Sequence, residues 1–456
     1  MTEQLKLKLN DSKATRWGAL VIVAFTMMAA YYVNDVVAPL KTMLETDLAW
    51  SSTDFGFFTG GYSFLNVFFL MLIWGGLILD RFGIRFTGKL ATILMVGGTA
   101  LEYYAMTGLA GADATLFGIN EIFGYKTGVF VAFAGYSIFG VGAEVAGITV
   151  SKIIAKWFKG KELATAMGVQ VALARIGSQA GYAVAIPLAR AFGISTPVLL
   201  GLVLLLGGMI AFFVFAVMDK KLDKQMEAAA IAAGTEDEEE KFSFKDVKNI
   251  LVNPGFWLIA LLCVLFYSCV FPFQKFASEL MIIKYGINEN VAGTFAGLPA
   301  LGALILTPVF GGFIDKRGKS ASIMLLGSAM LICVHFIYAI PDINYWLVAI
   351  VLMIILGIAF SLVPSAMWPA VAKIFPVSQL GTAYALIFFI QNIGLWGIPT
   401  LIGWVLDAYC ISGKKPDGTN MYDYTVPMCI FTGIACLSLI AVSYTHLRAH
   451  ETVLDL

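Results

Sequence analysis

The chain has 456 residues, 59% hydrophobic and 13% charged, whereas soluble globular chains are about half apolar and about a quarter charged. Its 30 basic and 30 acidic residues cancel, so nothing in the net charge points to a polyanion partner. The composition is that of a polytopic membrane protein.

The start, Met1 to Arg16, is polar, and the apolar run behind it is too long for the core of a cleavable signal. Twelve stretches are long enough to cross a hydrocarbon core of about 30 Å. They are residues 16–40, 54–79, 87–108, 128–152, 163–188, 195–218, 256–283, 291–314, 320–340, 345–372, 379–406 and 425–443. Basic residues concentrate in alternate connections, as in Lys6 to Arg16, Arg81 to Lys89, Lys152 to Lys161, Lys220 to Lys248, Lys316 to Lys319 and Lys373. The other connections hold only Lys41, Lys126, Arg190, Lys284, Lys414 and Lys415. The positive-inside rule then runs the odd-numbered helices outward and leaves both termini in the cytoplasm. Residues 1–218 form the first six-helix bundle on this reading, 219–255 a solvated linker with the acidic run Glu236–Glu240, and 256–443 the second bundle. The tail, 444–456, changes character abruptly and is set apart from the functional reading.

One charged turn occurs twice. Span two ends in Gly75-Gly76-Leu77-Ile78-Leu79-Asp80-Arg81-Phe82-Gly83-Ile84-Arg85, and span eight in Gly311-Gly312-Phe313-Ile314-Asp315-Lys316-Arg317-Gly318-Lys319. Recurrence at half-chain distance points to a duplication, giving an all-α polytopic fold of two pseudo-symmetric six-helix bundles, the build of a transporter. Asp80 and Asp315 are expected to accept from backbone N–H groups at a neighbouring helix N-terminus. With Arg81, Gly83, Arg85, Lys316 and Arg317 they form a gate latch; two equivalent copies argue against charges that set topology alone.

Ionisable groups at bilayer depth are costly and therefore functional candidates. Glu144 lies among small residues on the fourth span and Arg175 on the fifth, at depths of about 12 and 18 Å from the cytoplasmic side at 1.5 Å per residue. They could pair with each other and fix the helices. They could instead form a split site, Glu144 receiving an amine and Arg175 a carboxylate through its planar fork. The second reading predicts a zwitterionic cargo. Tyr31, Asn34, Tyr62, Asn66, Gln391 and Asn392 are hydrogen-bonding candidates beside that cargo. Asp35 reads as shallow and interfacial, Lys275 and Glu279 as an i,i+4 pair at the outer end of span seven, and His335 as packed. The six cysteines default to small buried hydrophobes, with Cys410 the one candidate for pairing. No nucleophile, metal or phosphate-binding constellation is present, so no enzyme, cofactor or metal centre is expected.

The first turn resembles the signature of the major facilitator superfamily, Gly-x-Leu-x-Asp-Arg-x-Gly-Arg-Lys/Arg. Asp80, Arg81, Gly83 and Arg85 match it, and Ile78 and Ile84 depart from it. The resemblance implies two six-helix bundles that rock around a central site. A narrower resemblance is carried by Gly142-Ala143-Glu144, Lys156-Trp157-Phe158-Lys159-Gly160-Lys161-Glu162-Leu163, Ala174-Arg175-Ile176-Gly177-Ser178, Val270-Phe271-Pro272-Phe273, Trp368-Pro369 and Ile390-Gln391-Asn392-Ile393-Gly394. These blocks look like the lysosomal dipeptide uniporter subfamily of animals and its microbial relatives. That likeness implies facilitated dipeptide movement, with Glu144 and Arg175 engaging the peptide termini. With Glu144 compensated by Arg175 and no deep unpaired acid evident, uniport is the simpler expectation, and proton symport through Glu144 or Asp35 is the alternative. The rivals are an organic-anion exchanger, which needs a second deep cation, and a receptor or scaffold that keeps the fold without transport. The N-terminus carries no acidic dileucine, so a cell membrane is expected rather than a lysosomal one. The implied partners are a small-molecule substrate and the lipid bilayer, with no nucleic acid.

Overall fold

A chain with more apolar side chains than its interior can hold turns the surplus outward. In the computed structural model, which describes residues 8–111, 114–233, 244–317, 319–375 and 377–454, Val203, Ile210, Val214 and Val217 are all more than half exposed along one helix. Such a stripe suits lipid. With no water in the hydrocarbon, each crossing segment bonds its own backbone and is therefore helical.

The first half comprises α1 (Lys13–Val36), the short α2 (Lys41–Asp47), α3 (Ser52–Phe68), α4 (Met71–Thr107), α5 (Thr127–Trp157), α6 (Leu163–Phe192) and α7 (Thr196–Ala233). After α8 (Phe244–Val252) come α9 (Pro254–Tyr285), α10 (Glu289–Ala296), α11 (Leu298–Arg317), α12 (Ser320–Ala339), α13 (Trp346–Ile374), α14 (Val377–Tyr409) and α15 (Thr425–Leu454). Two antiparallel hairpins, β1 (Glu121–Ile122) with β2 (Tyr125–Lys126) and β3 (Ile411–Lys414) with β4 (Asn420–Tyr422), lie on the face opposite the start of α1. We call these the hairpin face and the termini face. Among the described residues nine segments are long and apolar enough to cross a membrane, and α3 with α4 makes a tenth. Helix α6 is more polar, with Gln170, Arg175, Ser178 and Gln179, and a second pass is folded into α4. Together they complete a twelve-helix polytopic fold.

That second pass follows from Gly83, whose φ of 74° and ψ of 173° are non-helical and belong almost to glycine alone. Contacts with α5 show the reversal. Gly61 meets Phe133 and Ser137 while Gly75 meets Val145, in the same sense as α5; Gly98 meets Gly135 and Phe139 while Ala91 and Met95 meet Gly142, in the opposite sense.

Several boundaries differ from expectation. The second span is not continuous to Leu79 but breaks at Phe69 and Leu70, where Leu70 is left-handed (φ 53°). The eighth breaks at Gly297, between α10 and α11. Helix α7 runs fifteen residues past its expected end at 218, to Ala233, and α15 runs past 443 to Leu454. The acidic run Glu236–Glu240 lies outside the described residues. Cys333 and Cys429 are exposed rather than buried, and all six cysteines, Cys410 included, are free; a thiol on an apolar helix packs as well against lipid as against protein. His335 is packed as expected, with Nε2 3.1 Å from the Cys269 carbonyl.

The halves meet mainly through α3 against α14 and α6 against α10 and α11. At Gly56 and Gly403 the backbones of α3 and α14 are in direct contact, with no room for a Cβ on either.

Candidate functional site

Between the first six and last six passes lies a cavity of about 1130 Å³. Its lining reaches the termini face at Leu72, Leu79, Asp80 and Thr382. Toward the hairpin face it ends at polar contacts between the two halves.

Helix α5 brings Glu144 to the cavity, where it accepts a hydrogen bond from the Tyr62 hydroxyl of α3 at 3.0 Å. Helix α6 brings Arg175, whose guanidinium carbon lies 4.9 Å from the Phe360 ring centroid and 5.6 Å from that of Tyr31. These are cation–π distances. Among the described residues Arg175 has no carboxylate partner, Glu144 included. One anion and one cation thus share the cavity without neutralising each other.

The opposite wall is aromatic. Trp368 stacks on Phe388 at 4.9 Å and donates from Nε1 to the Tyr267 hydroxyl at 3.3 Å; the Tyr384 hydroxyl donates to the Trp368 carbonyl at 3.2 Å. Pro272, Pro364 and Pro399 sit inside α9, α13 and α14 and line the same cavity. A proline within a helix leaves the carbonyl four residues back without its helical donor.

Sequence reasoning missed the cavity's second cation. Lys275 lines it from α9 and donates to the Asn34 carbonyl at 2.6 Å, the Asp35 carboxylate at 3.1 Å and the Tyr136 hydroxyl at 3.4 Å. It does not pair with Glu279. Glu279 instead accepts from Lys41 at 2.5 Å and from the Tyr424 hydroxyl, while Lys41 also meets Glu45 at 2.5 Å. Lys415 lies 3.5 Å from Glu45 and 3.7 Å from Glu279. Nor is Asp35 interfacial: it is buried, accepting from Ser178, from the Asn34 amide and from Lys275. The reason is the segment Ala38–Asp47, which packs against α9 and covers the end of α1.

Of the remaining candidates, Tyr31, Asn34, Tyr62 and Gln391 line the cavity. Asn66 and Asn392 do not. Each is buried and donates to a carbonyl one turn back in its own helix, Tyr62 and Phe388 respectively, because both sit on faces turned to helix packing. Gln391 receives a weak bond from Cys263 at 3.4 Å.

At the termini face, Asp80 does not cap a helix N-terminus. It accepts from Lys152 of α5 at 3.1 Å, and Arg85 reaches Asp223 of α7 at 2.8 Å. Both pairs stay within the first half, because the cavity opens between the halves at this level. Arg81 lies over the Phe82 ring and Arg317 over Phe313, and Lys316 is exposed. The Asp315 side chain and Gly318 lie outside what is described.

The family model of the Major Facilitator Superfamily matches residues 20–399. The lysosomal dipeptide transporter MFSD1 of Homo sapiens is 29% identical over 409 residues, covering 87% of this chain and 81% of the human one. That of Gallus gallus is 32% identical over 335 residues, 71% and 70% of the respective chains. Among solved structures, the nucleoside transporter NupG superposes with a TM-score of 0.69 at 13% identity, covering 93% of this chain and 98% of its own. A D-xylose-proton symporter gives 0.66 at 15% identity, covering 94% and 96%. The chain belongs to the major facilitator superfamily, and it is a multi-pass membrane transporter rather than an enzyme.

Proposed function

We propose that this transporter carries dipeptides by alternating access, with Glu144 and Arg175 binding the two ends of the zwitterion. The supporting observation is that both charges line one cavity and neither satisfies the other. A peptide amine beside Glu144 and a peptide carboxylate on Arg175 would supply each missing counter-charge, offsetting the cost of desolvating the cargo. The prolines and aromatics opposite suit a peptide bond and side chains without fixing their identity. Names of relatives point the same way, since the MFSD1 chains at 28 to 32% identity are dipeptide transporters.

On this reading the termini face is cytoplasmic and the cavity is open inward. Asp80 and Asp315 latch that face only when the halves swing together, which accounts for the pairing of Asp80 with Lys152 here. The membrane is the cell's own on the sequence argument, although the named relatives are lysosomal.

Lys275 gives the anion-exchanger reading the second cation it needs. Asp35 already neutralises that lysine, however, and Glu144 would repel a dianion.

The test is thermal stability of the purified chain with dipeptides, free amino acids and dicarboxylates, alongside Glu144→Gln and Arg175→Ala. A ligand present at 100 times its Kd stabilises by about 2.7 kcal/mol. Dipeptides should stabilise the parent and neither variant. Stabilisation by dicarboxylates alone, kept in Glu144→Gln, would replace the dipeptide with an organic anion.

A further inference from the structure

Among the described residues four buried carboxylates, Asp35, Glu45, Asp219 and Glu279, each meet a cation. Glu102 does not. It lies on the second pass of α4, has 0% of its surface exposed, and neither carboxylate oxygen has a hydrogen-bond partner. An isolated carboxylate in so apolar a place is far costlier than the neutral acid, so the group holds a proton.

Its surroundings give that proton a role. Gly135 of α5, the residue before Tyr136, packs against its backbone so closely that a Cβ there would stand 2.9 Å from the Glu102 nitrogen. Tyr136 lines the cavity, which puts Glu102 one layer behind the cavity wall. The ionisable groups on neighbouring elements include Tyr136 and Glu144 on α5, Tyr31, Tyr32 and Asp35 on α1, Asp54 and Tyr62 on α3 and Lys275 on α9. Helix α7 has none from Thr196 to Met218. The cation among these groups is Lys275, and it is bonded to the Asn34 carbonyl, Asp35 and the Tyr136 hydroxyl. One positive charge faces two carboxylates, and Asp35 has it. The remaining carboxylate needs a proton.

We propose that Glu102 is a proton-binding site that senses the outer seam of the transporter. Lys275 belongs to the second half; Asp35, Tyr136 and Glu102 belong to the first. Parting the halves on the hairpin face draws Lys275 away and frees Tyr136 from one of its bonds, so water reaches Glu102. The acid then gives its proton to that water and becomes a solvated carboxylate; closure takes one proton back from the same side. No proton crosses the membrane, so the site is compatible with uniport. By linkage, the state that binds the extra proton gains as pH falls. Acid on the hairpin face therefore favours the closed seam.

Two measurements on the full-length purified chain decide this, and neither needs a substrate, so both stand apart from the dipeptide reading. Infrared spectra at neutral pH should show a carbonyl band from a buried protonated carboxyl that Glu102→Gln removes; identical spectra overturn the proposal. Should that variant fail to fold, a shift of the band in Glu102→Asp carries the same decision, and an unmoved band overturns it. Distances between spin labels at Asp47 and Ser412, in a background without exposed cysteines, report the seam itself. The closed population of the parent should rise as pH falls, keep that dependence in Glu102→Asp, and become closed and pH-independent in Glu102→Gln. A parent distance that ignores pH, or a Gln variant that keeps the parent's profile, overturns it.

Discussion

Lys41 shows how far a single side chain can be from what its position suggests. By sequence it is one of few basic residues on the outer side, a place where a lysine needs no partner. In the structure it is 1% exposed and held between Glu45 and Glu279. The partner that matters is 238 positions away, and no spacing along one chain reveals it. Removing one member of a buried pair typically costs about 3–5 kcal/mol, because the other is left charged and dry. Lys41→Met strands Glu45 and Glu279 beside Lys415 alone, so it should lower the unfolding midpoint of purified protein by several degrees. An unchanged midpoint would mean the cluster is wet and unimportant. Glu144 and Arg175 were legible for the opposite reason: a charge deep in an apolar run stands out whatever it touches. The amides were harder. Asn66 and Gln391 look alike as mid-helix polar residues, and only the rotation of each helix turns one into packing and the other toward the cavity.

At the scale of elements, the turn between α5 and α6 gives physical content to its distinctive run Lys156–Glu162. Trp157 Nε1 donates to Asp219 at 2.9 Å and Lys156 Nζ to Asp219 at 2.7 Å, tying down α7. Lys161 meets Asp11, and Glu162 accepts from Arg16 and from Trp17, each at 3.1 Å, tying down the start of α1. The hydrogen bonds from Arg16 and Trp17 hold the Glu162 carboxyl below its ordinary value of 4.5. A depressed acid contributes stability that is complete above its unfolded value and is lost as pH falls through the folded one. Acidification below about pH 4.5 should therefore loosen residues 9–17, seen as faster amide hydrogen exchange there, and Glu162→Gln should show that faster exchange already at neutral pH. Equal protection in the two proteins at neutral pH would refute the clasp. Gly83 makes a second case. Its backbone region costs other residues about 1–3 kcal/mol, so Gly83→Ala should lower thermal stability by that order, whereas Gly97→Ala on the same helix, with open space around it, should not. The sequence showed that a turn was there, because glycine beside charge breaks an apolar run. It did not show the breaks at Leu70 and Gly297, where the local residues remain apolar and the packing of neighbours decides.

For the whole molecule, twelve passes and their duplication were legible because hydropathy and the repeated turn are properties of the chain. Which face is open was not, since that depends on how two rigid halves meet. In this structure they meet near the hairpin face, at Gly56 against Gly403, at Arg190 with Glu289, and where the Asp407 carboxylate accepts from the Ser52 and Thr53 nitrogens at 3.3 and 2.6 Å. The Gly403 contact is with backbone: a Cβ there would overlap the Ser52 carbonyl and stand 3.0 Å from the Gly56 Cα, atoms that cannot rotate away. Overpacking of this kind costs about 1–3 kcal/mol, enough to move a two-state equilibrium about 5- to 150-fold. That cost applies only when the seam is shut, so Gly403→Val should hold the halves apart on the hairpin face. Labels at Asp47 and Ser412 should then report longer distances than in the parent, and net dipeptide uptake into vesicles should fall, because the closing step is impeded. Gly397→Ala, six residues earlier on α14 and with nothing within reach of its Cβ, should leave both unchanged. If Gly403→Val keeps the parent's distances and uptake, the α3–α14 contact does not close the outer path, and the other contacts there, Arg190 with Glu289 and the charged cluster around Lys41 among them, must do so.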